Sequence, residues 1–278
     1  MKSFEIEKKE LVKCNSIESE ITIPKNVTVI GWRAFMDNNY IKKVIMHDNI
    51  ISIERSAFKN CKNLEEVVLS KSIKEINYNV FDGCEKLKKI NLDNVSYLQI
   101  ESFKDCKELE EINISKSITT IAANAFYNCI KLRKVVNLEN AYLVDNQSFF
   151  NCISLEKIEF KDNLKILGDK VFVGCNNLQE IILPKSLEKI GELFLPKKTN
   201  KIKIIFEGSS NQWYDLTKRV CECISHQSNN DFHYYGDFVD EFVRDEFKDK
   251  IIINDEMNFE VYCEEDNVII KNTEGFSK

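Results

Sequence analysis

One stretch of the chain decides the fold: Ser56-Ala57-Phe58-Lys59-Asn60-Cys61-Lys62-Asn63-Leu64-Glu65-Glu66-Val67-Val68-Leu69. Its apolar frame, F-x-x-C-x-x-L-x-x-[VI]-x-[LIF], returns at steps of 22 or 23 residues along most of the sequence. The phenylalanines that mark the copies are Phe35, Phe58, Phe81, Phe103, Phe126, Phe149, Phe172 and Phe194. A unit of this length is too small to bury its own apolar face, so about eight copies must stack as rungs of a solenoid.

The second half of each copy predicts a short strand, for example at 64–69 and 87–92. Strands stacked in register form a parallel sheet, in which equivalent residues are direct neighbours. The residues one past each leucine alternate between basic and acidic and end in an amide: Lys42, Glu65, Lys88, Glu110, Arg133, Glu156 and Gln179. The next residues alternate in charge except at one step: Lys43, Glu66, Lys89, Glu111, Lys134, Lys157 and Glu180. Opposite charges on neighbouring strands contribute about 0.2–1 kcal/mol per pair, so the pattern favours this register.

Two further apolar columns precede each phenylalanine. Eight residues before it come Val27, Ile50, Ile73, Val95, Ile118, Ala141 and Leu164. Five residues before it come Ile30, Ile53, Ile76, Leu98, Ile121, Val144 and Leu167. Each buried aliphatic or aromatic side chain is worth about 1.5–3 kcal/mol, so a stack of such rungs has a large and continuous core.

Both ends of the array depart from the pattern. Residues 1–24 are predicted to be a capping rung, with Leu11 at the phenylalanine position, Cys14 at the cysteine position, and Ile17, Ile21 and Ile23 as its strand. End rungs lose the consensus because one of their faces meets solvent. The repeats then occupy residues 25–216.

The repeat pattern fails after Phe194. Residues 202–206 predict the last strand, and Trp213, with Tyr214 and Leu216, is expected to cover the end of the core. Residues 217–278 form a predicted acidic α+β appendage, because residues 231–266 carry a net charge of −10 against −6 for the whole chain. The elements predicted there are a helix at 238–247 and strands at 251–253, 259–263 and 268–270.

The composition predicts a folded, water-soluble chain. No apolar run approaches the length of a membrane span, and the N-terminal sequence has charged residues where a secretory signal would be apolar. We therefore expect a cytoplasmic protein, with surface or secreted location by an unconventional route as the alternative. Six of the ten cysteines share one repeat position, which favours burial of free thiols over a disulfide framework. The spacing of strands, about 4.8 Å, leaves oxidation between neighbouring rungs open.

Few residues are candidates for chemistry. Cys221 and Cys223 lie near His226 and His233, but this spacing lacks the second pair typical of a zinc site. The acidic turns at 254–256 and 264–267 do not match a calcium loop. No phosphate-binding glycine loop or nucleophile motif is present, and basic residues form no stripe for nucleic acid. We expect no enzyme, no metal, no cofactor and no direct nucleic-acid binding.

The repeats resemble the BspA-like, or Treponema-type, leucine-rich repeat family, whose unit contains L-P-x-S-L-x-x-I-G-x-x-A-F-x-x-C-x-x-L-x-x-I. The matching segments are Ile23-Pro24-Lys25-Asn26-Val27, Ile30-Gly31, Ala34-Phe35, Ser56-Ala57-Phe58-Lys59-Asn60-Cys61, Asn124-Ala125-Phe126-Tyr127-Asn128-Cys129, Leu183-Pro184-Lys185-Ser186-Leu187, Ile190-Gly191, Phe206-Glu207-Gly208 and Gln212-Trp213. The resemblance covers roughly residues 10–216. It implies a β-rich leucine-rich-repeat solenoid with a parallel sheet on its concave face, and a binding scaffold without catalytic residues.

The concave face is the expected binding surface for a protein partner. The solvent-facing positions of its strands are Ile45, Val68, Asn91, Asn113, Val136, Glu159 and Ile182. Exposed β-branched residues on one face favour binding, although such residues also favour strands for their own sake. Two alternatives remain open: an intracellular inhibitor or effector that uses the acidic tail against a basic or nucleic-acid-binding target, and a cell-surface adhesin.

Overall fold

The computed structural model describes residues 3–192, 203–209, 211–213, 215–216, 259–264 and 267–272. Within them the chain forms a solenoid in which each full rung contributes two short strands, one to each of two faces. We name the two sets of strands the front sheet, on the face predicted to be concave, and the back sheet. Both are parallel through the repeats, as the sequence predicts for the front sheet.

The front sheet contains the predicted strands, each shorter than its sequence pattern. They are β3 (Glu20–Thr22), β5 (Lys43–Ile45), β7 (Glu66–Val68), β9 (Lys89–Ile90), β11 (Glu111–Asn113), β13 (Lys134–Val136), β15 (Lys157–Glu159), β17 (Glu180–Leu183) and β19 (Lys203–Phe206). Their hydrogen bonding falls into three segments: β3 to β9, β11 with β13, and β15 to β19. In each pairing the equivalent residues face one another, for example Glu66 and Lys89.

The sequence did not predict the back sheet. Its parallel strands are β2 (Glu10–Cys14), β4 (Val29–Ile30), β6 (Ser52–Ile53), β8 (Glu75–Ile76), β10 (Tyr97–Leu98), β12 (Thr120–Ile121), β14 (Leu143–Val144), β16 (Ile166–Leu167) and β18 (Lys189–Ile190). Each repeat strand ends in the apolar residue five positions before the phenylalanine. That residue packs inward, while the one before it faces solvent. Of the two apolar columns recognised in the sequence, the one eight residues before the phenylalanine therefore lies in a turn, and the one five residues before it lies in a strand.

Antiparallel strands extend a different sheet at each end. At the N-terminus, β1 (Phe4–Glu7) pairs with β2 on the back sheet. At the C-terminus, β20 (Phe259–Glu264) pairs with β19 on the front sheet, and β21 (Asn267–Asn272) pairs with β20. The strands predicted at 259–263 and 268–270 are thus confirmed, and they extend the solenoid. The helix predicted at 238–247 and the strand predicted at 251–253 lie outside the described residues.

The predicted register of the N-terminal rung was wrong. Leu11 pairs with Ile30, which places it in the column five residues before the phenylalanine. The backbone amide of Cys14 donates to the carbonyl of Ala34 in the next rung, and the backbone amide of Phe35 donates to the carbonyl of Ala57 in the same way. Cys14 therefore stands at the phenylalanine position. Ile17 is 72% exposed and does not belong to the core, whereas Leu11, Cys14, Ile21 and Ile23 are buried.

A ladder of phenylalanine rings forms the centre of the core. From Phe35 to Phe172 every ring is at most 1% exposed, and consecutive rings stack with centroids 4.6 to 6.0 Å apart. At the C-terminal end, Trp213 packs against Phe206 with ring centroids 5.3 Å apart, which confirms its predicted position over the last strand. Phe194 and Tyr214 lie outside the described residues.

The cysteine column is buried and reduced. Six thiols donate to the carbonyl oxygen of the phenylalanine one rung earlier, at Sγ–O distances of 3.0 to 3.3 Å. They belong to Cys61, Cys84, Cys106, Cys129, Cys152 and Cys175, all of which are free. In the first full rung the amide of Asn38 replaces the thiol and donates to the carbonyl of Ser16 at 3.0 Å. The column therefore links each rung to the one before it.

Candidate partner-binding face

The front sheet places the seven predicted binding residues in one column. Ile45 faces Val68 across β5 and β7, Asn113 faces Val136 across β11 and β13, and Glu159 faces Ile182 across β15 and β17. Asn91 follows β9 directly and is exposed. The column exists because side chains alternate along a strand, and the residues on either side of it in each strand point into the core.

The members of this column differ in exposure. Val68 is 40% exposed, whereas Ile45, Val136 and Ile182 are half-buried because their neighbours in the ladder cover them. Asn113 is exposed and Glu159 is half-buried. The apolar part of the face is therefore narrower than the sequence suggests. Whether these residues bind a partner stays a prediction.

Ion pairs between neighbouring rungs flank this column, as the alternating charges predict. Lys43 pairs with Glu66 at 3.4 Å and Arg133 with Glu110 at 2.5 Å. Further pairs join Lys88 to Glu65, Lys134 to Glu111 and Lys157 to Glu180. Exposed pairs of this kind stabilise a protein by at most about 1 kcal/mol each. Their main effect on this face is to hold long side chains in fixed positions.

The ion pairs stop at one rung. Each step between neighbouring rungs from β5 to β17 is crossed by at least one ion pair between described residues, except the step from β13 to β15. At the step from β9 to β11 that pair, Lys107 with Glu85, lies in the turns before the strands. The step from β13 to β15 is where two bases, Lys134 and Lys157, follow one another in the sequence column. Lys134 turns back to Glu111 and Lys157 turns forward to Glu180. No strand pairing joins β13 and β15 either, so the front sheet opens at this step, as it also does between β9 and β11, where strand pairing is likewise absent.

An open cleft with a volume of about 670 Å³ lies at this opening. Two of the predicted binding residues, Val136 and Glu159, line it together with Val135. The rest of its lining consists of Leu138, Asn137 and ionic side chains from three rungs: Glu110, Glu111, Arg133, Lys134, Glu139, Glu156, Lys157 and Lys161. A cleft of this size suits a short peptide segment or a few side chains of a partner.

The described residues contain no cluster of three or more metal-ligating side chains. The imidazole Nε2 of His47 lies 3.0 Å from the carbonyl oxygen of Pro24, a contact within the fold. Cys221, Cys223, His226 and His233 lie outside the described residues, so the zinc hypothesis is untested. Within the part of the chain that the structure describes, no helix has both the length and the apolar character needed to span a bilayer.

The back sheet carries exposed side chains that the sequence did not single out. Ile51 and Tyr97 are each 62% exposed and Tyr142 is 50% exposed. Trp32, in the turn after β4, is 50% exposed, and the guanidinium of Arg33 lies 4.4 Å from its ring centroid. The exposure of these side chains could have been predicted, since they precede or follow inward positions of the repeat. It was not predicted because no strand was assigned to this part of the rung.

Comparisons with known proteins agree with this architecture. The family model described as the BspA type leucine rich repeat region matches residues 4–133 and 96–221, in six copies. The chain is similar to the structure of a leucine rich cell surface protein from Faecalibacterium prausnitzii A2-165, with 24% identity, a TM-score of 0.58, and coverage of 75% of this chain and 57% of that one. It is also similar to a leucine-rich repeat protein from Bacteroides ovatus, with 24% identity, a TM-score of 0.52, and coverage of 68% and 59%.

The chain thus spans less than two thirds of either structure's length. At this identity the likeness concerns the fold alone. A search among curated proteins found no match.

Proposed function

Because this chain belongs to the BspA-type leucine-rich-repeat family, we propose that it is a non-catalytic scaffold that binds another protein through its front sheet. Leucine-rich repeats are generally interaction modules, and the front sheet offers one row of side chains from Ile45 to Ile182. The observation that carries the proposal is the combination of this row with the cleft at β13 and β15, which Val136 and Glu159 line.

Rigidity makes the front sheet suited to binding. Core stacking and the thiol–carbonyl bonds fix each rung to its neighbours, and ion pairs restrain the long side chains that flank the row. Ordering flexible side chains at an interface costs about 0.5–1.5 kcal/mol each, and a surface that is already ordered avoids most of that cost.

The test is a paired set of surface variants. Val68→Asp combined with Val136→Asp places charge on the front row, and Ile51→Asp combined with Tyr97→Asp does the same on the back sheet, where both side chains are 62% exposed. We expect partners retained by the immobilised wild-type protein, quantified by mass spectrometry, to be lost with the front variant and kept with the back variant. Retention by both, or loss with the back variant alone, would contradict binding through the front sheet.

We propose a cytoplasmic setting for this activity. Its support is the column of free, buried thiols, which persists most readily in a reducing compartment. A surface setting is the competing proposal, because the similar protein from Faecalibacterium prausnitzii is described as a cell surface protein. Labelling intact cells with a membrane-impermeant amine reagent distinguishes the two, since only a surface protein is labelled before lysis.

A further inference from the structure

We propose that the cleft between β13 and β15 is the recognition site of the front sheet, and that it holds an extended segment of a protein partner in which an aliphatic residue adjoins a lysine or arginine. The inference rests on the proposed function, because it selects one place on the same face. Three features of the cleft carry it: the way the sheet opens, the apolar floor, and one carboxylate without an ion-pair partner.

The opening between β13 and β15 coincides with a change in the spacing of the repeat. The rung of β13 has one residue more between Val135 and Leu138 than the other rungs have at this point, and Asn137 takes up the excess in a left-handed conformation with φ of 65°. β13 pairs in register with β11 and with no strand on its other side. Asn137 is held in place by a hydrogen bond from its side-chain amide to Oδ1 of Asn113, at 2.6 Å.

The rest of the solenoid is continuous across this step. On the back sheet β14 pairs with β16, where Leu143 faces Ile166. In the core the rings of Phe126 and Phe149 stack with centroids 5.5 Å apart and planes at 7°. The opening is therefore a fixed cleft in one face, and its shape is present before any partner arrives.

The floor of the cleft is apolar and incompletely covered. Val135 occupies an inward position of the repeat. The equivalent residues of other rungs, such as Val67, Ile112 and Ile158, are buried. Here the side chain is only half-buried, and Val136 beside it is half-buried as well. Core-type side chains left partly in water gain about 25 cal/mol for each Å² that a partner covers. An aliphatic side chain of the partner is the group that fits this floor.

The wall of the cleft has one surplus negative charge. Its four bases already have acidic partners: Arg133 pairs with Glu110, Lys134 with Glu111, Lys157 with Glu180 and Lys161 with Glu159. The remaining lining acid with an ion pair is Glu139, which lies 3.3 Å from Lys116.

Glu156 is the lining carboxylate that forms no ion pair with any described residue, and it is exposed. In the charge column Glu156 follows Arg133, whose guanidinium pairs with Glu110 on the preceding rung instead. A cationic side chain from the partner therefore replaces the missing neighbour. An acidic segment would instead place like charges together, and a purely apolar one would cover Glu156 without neutralising it.

The experiment uses a phage-displayed library of random peptides of about twelve residues, selected on the full-length protein under reducing conditions. Enriched peptides are synthesised with a fluorescent label, and their affinity is measured by polarisation against three variants. Glu156→Gln removes the unpaired charge and Glu156→Lys reverses it. Glu65→Gln is the control, because Glu65 occupies the same column directly before β7, away from the cleft, where it pairs with Lys88.

We expect the enriched peptides to share an aliphatic residue next to lysine or arginine. Their affinity should fall about tenfold to a hundredfold with Glu156→Gln, fall further with Glu156→Lys, and change less than threefold with Glu65→Gln. Absence of enrichment, enrichment of peptides without this pair, or equal binding to the Glu156 variants would overturn the inference.

Single front-sheet variants separate this failure from that of the proposed function. Peptides that lose affinity with Val68→Asp but bind normally to the Glu156 variants would refute the cleft as the recognition site while supporting binding through the front sheet. Peptides insensitive to Val68→Asp, Val136→Asp and both Glu156 variants would refute both proposals. Loss with Val136→Asp and with Glu156→Lys, without loss for Val68→Asp, is the result that the cleft predicts.

Discussion

Alkaline pH should unfold this protein because its core holds a column of neutral thiols. Burial raises the pKa of Cys84, Cys106, Cys129 and Cys152. In the unfolded chain a thiol ionises with a pKa of about 8.5. A group whose pKa is higher in the folded state contributes stability that is complete below the unfolded pKa and is lost as pH rises toward the folded pKa.

The size of the effect follows from these four residues. Each thiol that stays protonated in the folded chain and ionises in the unfolded chain lowers the free energy of unfolding by about 1.4 kcal/mol per pH unit above about 8.5. At pH 9.5 the four together should therefore lower it by roughly 5–6 kcal/mol relative to pH 7.5. Most small domains are stable by only about 5–15 kcal/mol, so the loss should be large.

Urea unfolding followed by circular dichroism, with a phosphine reductant at pH 7.5, 8.5 and 9.5, measures this dependence. Cys106→Ala is the matched variant: it leaves the other three thiols in place and should reduce the pH-dependent loss by about 1.4 kcal/mol at pH 9.5, whatever its effect at neutral pH. A free energy of unfolding that changes by less than about 1 kcal/mol between pH 7.5 and 9.5 would refute the reasoning.

Two further predictions concern the core, and both are measured by urea unfolding at neutral pH. Phe103→Ala should lower the free energy of unfolding by about 3–5 kcal/mol, because the ring is fully buried between Phe81 and Phe126. A loss below about 1 kcal/mol would contradict its place in the ladder. Ser102→Ala and Ser148→Ala should each raise the free energy of unfolding by about 1 kcal/mol, since both hydroxyls are buried without a hydrogen-bond partner among the described residues, at a position where other rungs have alanine. Destabilisation by either variant would show that the serine hydroxyl is hydrogen-bonded.

Residues that repeat were the ones that could be predicted. Phe58, Cys61 and Leu64 recur at fixed offsets, and every described phenylalanine, cysteine and leucine of their columns is buried. The charge columns were also informative, because five of their seven bases pair with an acid one rung away, as Lys43 pairs with Glu66. A period of 22 or 23 residues determines which side chains are neighbours in the stack. The stacking order and the identity of the side chains that point into the core therefore follow from sequence alone.

Residues without a counterpart in other rungs were predicted poorly. Ile17 was placed in the core by its apolar character, yet it is 72% exposed. Leu11 and Cys14 were assigned to the wrong columns because this stretch lacks the consensus phenylalanine and cysteine that mark the register of the other rungs. The strands of the back sheet were missed because two residues, such as Ser52 and Ile53, are too few to show a period of two.

Sequence by itself determined the stack: its rungs, its phenylalanine ladder and the column in which Val68, Val136 and Glu159 lie. Only the tertiary structure decided where that face opens. The extra residue before Leu138 is visible in the sequence, but strand pairing depends on the backbone positions of both neighbours. β13 keeps its pairing with β11 and has none with β15. At this step Val135 is only half-buried and Glu156 forms no ion pair with a described residue, and neither feature can be read from residue order.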